Sequence, residues 1–221
     1  MQFDRADPGH DRIATFDIES THYKPDLGEI VSVGVGVHDR GDLGQEATFD
    51  TFHRNGDGEA AVVRQAMARL AEYDADVLVS YKGIDFDLSF IRDRLDRLDE
   101  TADLPAVATD ADRHVDLFFD RKRRADQRGR KWPSLEECLD AYGCPCPKTL
   151  WNGGPVTNTR FGEELGPAYL QALDEGTEQA GKLTEVIDHY LTTDLEANLA
   201  IYYGDIGAKF EPNLLDSERS F

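Results

Sequence analysis

At 221 residues with 40% hydrophobic content, the chain can bury a substantial core, and one domain with additions is expected over two independent domains. The 44 acidic and 24 basic residues give a formal net charge of -20, yet regular apolar periodicity excludes a disordered acidic chain and makes the acidity a surface property. No apolar run approaches a membrane span, and Met1 to Asp11 lacks the basic-then-apolar order of a signal peptide, so a cytosolic protein is expected.

Three cysteines cannot complete a disulfide set, which suits a reducing compartment. Asp outnumbers Glu and Arg outnumbers Lys, a pattern expected of adaptation to a salt-rich, halophilic cytosol, where self-repulsion is screened.

The first ordered stretch is Ile13 to Ser20, an apolar strand pattern carrying Asp17 and Glu19 two residues apart. Strand side chains alternate, so these two carboxylates share one face while Ala14, Phe16 and Ile18 share the other. Two adjacent anions favour either a proton or a cation between them, although a half-buried strand with its polar face in water fits these eight residues equally well. Ile30 to Val37 reads as a second strand, His38 to Gly44 as a turn, and Ala47 to His53 as a third strand closed by Asn55-Gly56-Asp57-Gly58. Short links between sequential strands predict an antiparallel meander.

The period then changes. Glu59 to Tyr73 has helical apolar spacing, Asp76 to Tyr81 is a short buried strand, Phe86 to Leu98 is helical again, and His114 to Phe118 is a fifth strand candidate. A meander followed by helix, strand, helix and strand predicts an α/β fold, a ribonuclease-H-like mixed sheet of about five strands with packed helices.

Arg121, Lys122, Arg123, Arg124, Arg128, Arg130 and Lys131 face a single acid, Asp126, in a stretch closed by Trp132. Such a run is often a solvated loop, but against the acidic background it is expected to be a basic loop over 121–132 that contacts phosphate, with Trp132 offering a base-stacking surface. Ser134 and Glu137 form a capping-box pattern for a short helix to Tyr142 that stops at Gly143. Cys144-Pro145-Cys146-Pro147 has the wrong spacing for zinc and reads as structural. Lys148 to Gly166 reads as a long loop, Pro167 to Asp174 as helical, and about Gly181 to Tyr203 as the last long helix, ended by Gly204. A tail over 205–221 is expected to dock or fray.

Two further acids stand out. Asp87 follows the fourth strand at its carboxyl end, where sheet proteins build sites, and Asp194 lies among Leu191, Leu195 and Leu199 on the helix face that meets the sheet. Phe16-Asp17-Ile18-Glu19, Phe86-Asp87 and Tyr190-Leu191-Thr192-Thr193-Asp194 resemble, in order, the three motifs of the DEDD (DnaQ-like) 3'-5' exonuclease family. Each motif alone is weak, whereas the ordered set, covering roughly Ile13 to Tyr203, is specific. Val77 to Tyr81 leading into Gly83, with His114-Val115-Asp116-Leu117 beyond, looks most like the branch related to proofreading domains of family-B DNA polymerases.

The resemblance implies a single exonuclease-like domain with a core over about 13–203. It implies that Asp17, Glu19 and Asp194 hold two Mg2+ or Mn2+ ions, with Asp87 assisting through water and the catalytic set completed by Tyr190. The substrate implied is nucleic acid with a free 3' end, probed first as single-stranded DNA, with Lys82 and Phe86 as further contacts, release of nucleoside monophosphates, and replication or repair as settings for protein partners. RNA trimming with the same residues and a catalytically silent binding module on the same fold are the alternatives.

Family members carry either a Tyr four residues before the last Asp or a His five before it, and this chain has both Tyr190 and His189. On a regular helix Tyr190 lies about 40° from Asp194 and His189 about 140°, which favours Tyr190 as the water-orienting residue and leaves His189 as the alternative. Lys82 stands where many relatives carry Asn, and Asp85 adds a charge, departures that bear on substrate choice.

Overall fold

A computed structural model describes residues 1–41 and 46–221. The turn expected over His38 to Gly44 falls in part outside the described residues.

Strand β1 (Arg12–Ser20) is central, as its alternation and β-branched content require. It pairs antiparallel with β2 (Ile30–Asp39), which pairs antiparallel with β3 (Thr48–His53), so the meander forms as predicted. Helix α1 (Glu59–Glu72) precedes β4 (Val77–Ser80), which lies parallel to β1. A π-helical turn at Gly83–Asp87 runs into α2 (Leu88–Arg97), and a single helical turn, α3 (Ala106–Thr109), leads to β5 (His114–Asp116), parallel to β4. The resulting order, β3-β2-β1-β4-β5, is the mixed five-stranded sheet of a ribonuclease-H-like fold.

The two faces of β1 go to different layers. Ala14, Phe16 and Ile18 pack with Val63, Met67 and Leu70 of α1 and Leu88 and Ile91 of α2, whereas Ile13 packs with Leu199 and Tyr203 of the last helix. Asp17 and Glu19 therefore face that helix. The sheet can receive it closely because Gly34 lies opposite Asp17 in the β1–β2 register, and a Cβ there would sit 2.8 Å from both Leu191 Cγ and Leu195 Cδ1.

The basic stretch is a loop only from Arg128 to Trp132. Leu117–Gln127 forms α4, capped by the Asp116 side chain, which accepts from Phe118 N at 2.9 Å; the cap ends β5 two residues earlier than expected. Leu117, Phe118, Arg121 and Ala125 make the buried stripe of α4, and Lys and Arg are good helix formers once that stripe is anchored. Arg121 is fully buried, with Nη1 donating to Asp205 Oδ2 at 3.0 Å and to the Leu117 carbonyl at 2.9 Å, and Nε to the Met1 carbonyl at 2.9 Å. This corrects its assignment to phosphate contact, because no part of the guanidinium remains to meet a substrate.

Helix α5 (Leu135–Tyr142) has the expected Ser134–Glu137 capping box and stops at Gly143 with φ 72°. The long loop expected over Lys148 to Gly166 is structured instead. Strands β6 (Lys148–Trp151) and β7 (Gly154–Pro155) turn at Asn152 and Gly153, both at positive φ, and a helix follows as α6 (Asn158–Arg160), a second π-helical turn (Phe161–Leu165) and α7 (Gly166–Asp174). The last helix, α8 (Gln179–Asp205), runs through Gly204, whose missing side chain admits the Tyr142 ring, 2.9 Å from where a Cβ would lie. The final segment docks: β8 (Glu218–Ser220) lies parallel to β6, and Glu196 accepts from the backbone N–H of Asn213, Leu214 and Leu215 at 2.7 to 2.9 Å. Cys138, Cys144 and Cys146 are free thiols. No helix among the described residues is long and apolar enough to cross a membrane.

Candidate active site

The polar face of β1 and the inner face of α8 meet over Gly34, and each delivers carboxylates. Asp17, Glu19 and Asp194 each offer an oxygen lying within 4.8 Å of the others. Asp87 reaches the same cleft from the first π-helical turn and is 3% exposed.

That turn is a built feature. Lys82 takes the left-handed conformation at φ 74°, which a non-glycine residue adopts at some cost, and Asp116 holds it by accepting from Lys82 N at 3.0 Å and Ile84 N at 3.1 Å. Gly83 is tolerated where a Cβ would lie 2.5 Å from Ser80 Cβ and 2.9 Å from Phe16 Cε1, so the chain passes tightly over the end of β4. The wider π turn then sets Asp87 inward at the head of α2. Asp116 was not among the expected site residues. It sits in the quoted His-Val-Asp-Leu run, but its role depends on a contact 34 residues away.

The electrostatics of the floor are unfavourable on their own. Burial pushes Asp17 up from its ordinary 3.8 to about 7, against the pull of Lys82 and of a backbone hydrogen bond at Ile18. Burial raises Glu19 well above the usual range, helped by repulsion from Asp17, Asp194 and Asp87. Asp87 is raised by burial, then by Asp17 and Asp116, while Asp194 is raised by burial, then by Asp17 and Glu136. Asp87 Oδ2 is buried with no hydrogen-bond partner among the described residues. Converging carboxylate oxygens, one of them orphaned, make a donor set that fits hard divalent cations, which take oxygen ligands.

Tyr190 and His189 diverge as the helix geometry requires. The Tyr190 hydroxyl donates to Asn158 Oδ1 at 2.7 Å, its ring stacks on Phe161 with centroids 5.9 Å apart, and Asp194, Glu19 and Asp17 add to the burial that holds its proton on. His189 points to the small second sheet and the final segment, with Nδ1 2.7 Å from Thr149 Oγ1 and Nε2 3.0 Å from Ser217 Oγ.

Two clefts open from the carboxylates. One, of about 560 Å³, includes Asp17, Asp194, Lys82, Lys131, Glu136 and Asn198 in its walls. The other, of about 230 Å³, adds Glu19, Asp87, Phe86, His22 and Tyr23. Of the expected basic contacts, Lys82 and Lys131 line the first cleft. Both also line a neighbouring hollow of about 470 Å³ with Arg130, Phe118 and Trp132. Tyr81 ties this segment down by donating to the Pro133 carbonyl at 2.6 Å. Lys122 lies 4.8 Å over the half-exposed Trp132 ring, whose Nε1 donates to Asp126 at 2.7 Å. Arg123 instead pairs with Asp120, Arg124 turns to the Gln2 carbonyl and the Phe3 ring, and Arg128 is exposed just past α4. Asn158 and Asn198 were not expected, and only Asn198 carried a sequence signal, its four-residue spacing from Asp194.

A family model described as the RNase_H superfamily matches residues 14–143. Among solved structures, the family B DNA polymerase from the hyperthermophilic archaeon Pyrobaculum calidifontis is similar with a TM-score of 0.62 at 17% identity, over 90% of this chain. This chain spans 25% of the length of that polymerase. No curated protein matches the chain by sequence.

Proposed function

The chain belongs to the RNase_H superfamily, and on that premise we propose that it is a metal-dependent 3'-5' exonuclease that removes nucleoside monophosphates from the 3' end of single-stranded DNA. The observation that carries this reading is the convergence of Asp17, Glu19, Asp87 and Asp194, from β1, the π turn and α8, beside the inward-facing Tyr190. The likeness to a polymerase supports the fold alone. The ordered motifs support the choice of a trimming nuclease over one that cuts within strands.

In this reading Asp17, Glu19 and Asp194 hold two Mg2+ or Mn2+ ions, with Asp87 assisting. When bound, the ions offset the clustered negative charge, supply a nucleophilic water near neutral pH and stabilise the leaving oxygen. The protein groups have separate tasks. Tyr190, steadied by Asn158, orients the attacking water with its hydroxyl, which remains protonated because burial raises its pKa. Lys82, exposed at the junction of the clefts, offers its ammonium to the phosphate bearing the scissile bond. Water adds to phosphorus, the bond to the 3' oxygen of the preceding nucleotide breaks, and that oxygen leaves with a proton. Lys131, Arg130 and Trp132 lie along the path open to the rest of the strand.

The test is digestion of 5'-labelled DNA and RNA oligomers in parallel with Mn2+. A ladder shortening from the 3' end, faster on DNA, abolished by EDTA and by Asp17→Asn, is expected. Internal cuts, or activity that survives both treatments, would overturn the assignment, and preference for RNA would transfer the mechanism to RNA ends.

A further inference from the structure

The polar row on α8 does not stop at Asp194. Tyr190, Asp194 and Asn198 are spaced by four residues and lie along one helix face. On β1, Asp17 and Thr15 share the face opposite them, so Asn198 meets Thr15 one step further along than Asp194 meets Asp17. Asn198 Nδ2 donates to Thr15 Oγ1 at 3.2 Å.

The other end of the amide is unpaired. Asn198 is 2% exposed, and its Oδ1 is buried with no hydrogen-bond partner among the described residues. It forms part of the wall of the larger cleft together with Asp17 and Asp194. A buried carbonyl without a donor lowers stability, and Leu or Ala would fill the same helix position without that loss. A carbonyl in the wall of a cleft that carboxylates also line has no complement in another acceptor. A hard cation or its bound water does complement it, since such ions accept amide carbonyl oxygens as well as carboxylates.

We propose that Asn198 is a further oxygen ligand for a divalent cation, which its side-chain carbonyl would help to hold beside Asp17 and Asp194. This deepens the nuclease reading and rests on it. Thr15, fully buried, holds the other end of the amide through its hydroxyl.

Mn2+ binding to the full chain without substrate, followed by electron paramagnetic resonance and calorimetry at fixed salt, tests the assignment. Asn198→Leu is expected to weaken Mn2+ binding roughly tenfold, the usual scale for losing a residue that supports metal ligands. Asn198→Asp keeps the oxygen and the size, and is expected to bind Mn2+ at least as tightly as the wild type. Mn2+ affinity unchanged in Asn198→Leu would overturn the role of Asn198 while leaving the nuclease reading intact. Unchanged Mn2+ affinity with a raised KM in Asn198→Leu would also overturn it, because the amide would then face substrate with Nδ2. Should Asn198→Leu fail to fold by circular dichroism, the Mn2+ affinity of Asn198→Ala, expected to fall on the same scale, decides in its place. Absence of Mn2+ binding in the wild type would remove both readings together.

Discussion

Asp17→Asn should stabilise the metal-free protein while abolishing its response to divalent ions. In the folded chain burial raises the Asp17 pKa from 3.8 to about 7. A carboxyl shifted upward binds its proton more tightly in the native than in the unfolded state, so stability falls as pH rises from about 4 through about 7 and is flat above. At pH 8 this one group costs roughly 4 kcal/mol, and at pH 5 roughly 2 kcal/mol. Asn removes that charge, and its amide can donate to the neighbouring Glu19 or Asp194, so part of the stabilisation survives the loss of an acceptor. A net gain of about 3 kcal/mol at pH 8 corresponds to roughly 6–12 °C in a domain of this size, shrinking toward pH 5. Thermal unfolding in EDTA at fixed potassium chloride, at pH 5 and pH 8, measures it, with Mn2+ added in a parallel series. Wild type should gain most from Mn2+ at pH 8, and Asp17→Asn little at either pH. If Asp17→Asn were less stable than wild type in EDTA at pH 8, or gained as much from Mn2+, the picture of mutually repelling carboxylates awaiting a cation would be wrong.

Three further outcomes follow from other contacts. Tyr190→Phe removes the hydroxyl bonded to Asn158 but keeps the ring on Phe161, so kcat should fall about 10²-fold, the scale of one positioned proton-handling group, with Mn2+ affinity and stability unchanged in calorimetry and thermal melts. Arg121→Ala leaves the buried Asp205 with only the Tyr142 hydroxyl and Arg5, 4.0 Å away, and should cost about 3 kcal/mol in urea unfolding, whereas Arg123→Lys on the exposed side of the same helix should change little. Lys131→Ala should raise KM and reduce the slope of log binding against log salt by about 1, measured by fluorescence anisotropy on a labelled single strand, while Arg124→Ala, turned to the Gln2 carbonyl, should leave that slope unchanged.

What could be read from the chain divides by the range of the interactions involved. The β1–β3 meander was legible because alternation and turn residues are local, and the carboxylate set was legible because three short motifs recur in a fixed order. Tyr190 and His189 could be separated by helix geometry alone, and their side chains do face opposite ways. Helix α4 was not legible. Its charge run reads as solvated until Arg121 is paired with Asp205, 84 residues away, which makes a cation serve as a core residue. The β6–β7 hairpin was hidden in a stretch rich in Gly, Pro and Asn, although Asn152-Gly153 is itself a hairpin signal. Asp116 and Asn158 bond to partners in other elements, and although Asp116 lies in the quoted His-Val-Asp-Leu run, nothing local gives either contact.

Several local costs of this fold gather at one place. The left-handed Lys82, the crowded Gly83, two π-helical turns, the orphaned oxygens of Asp87 and Asn198, and four carboxylates with raised pKa values all lie around the clefts flanked by β1 and α8. Along β2 and β4 the sheet is covered on both faces mainly by apolar packing. Strain of this kind persists only where the surroundings over-determine it, and Gly34 supplies that condition by letting Leu191 and Leu195 press α8 onto β2. A ligand that binds only the folded state adds stability in proportion to the logarithm of its concentration over its dissociation constant, about 3 kcal/mol at a hundredfold excess. That is comparable to what the buried charge of Asp17 removes at neutral pH. Cation binding and folding are therefore coupled through the same residues, and widening the gap at Gly34 should weaken Mn2+ binding without touching any carboxylate.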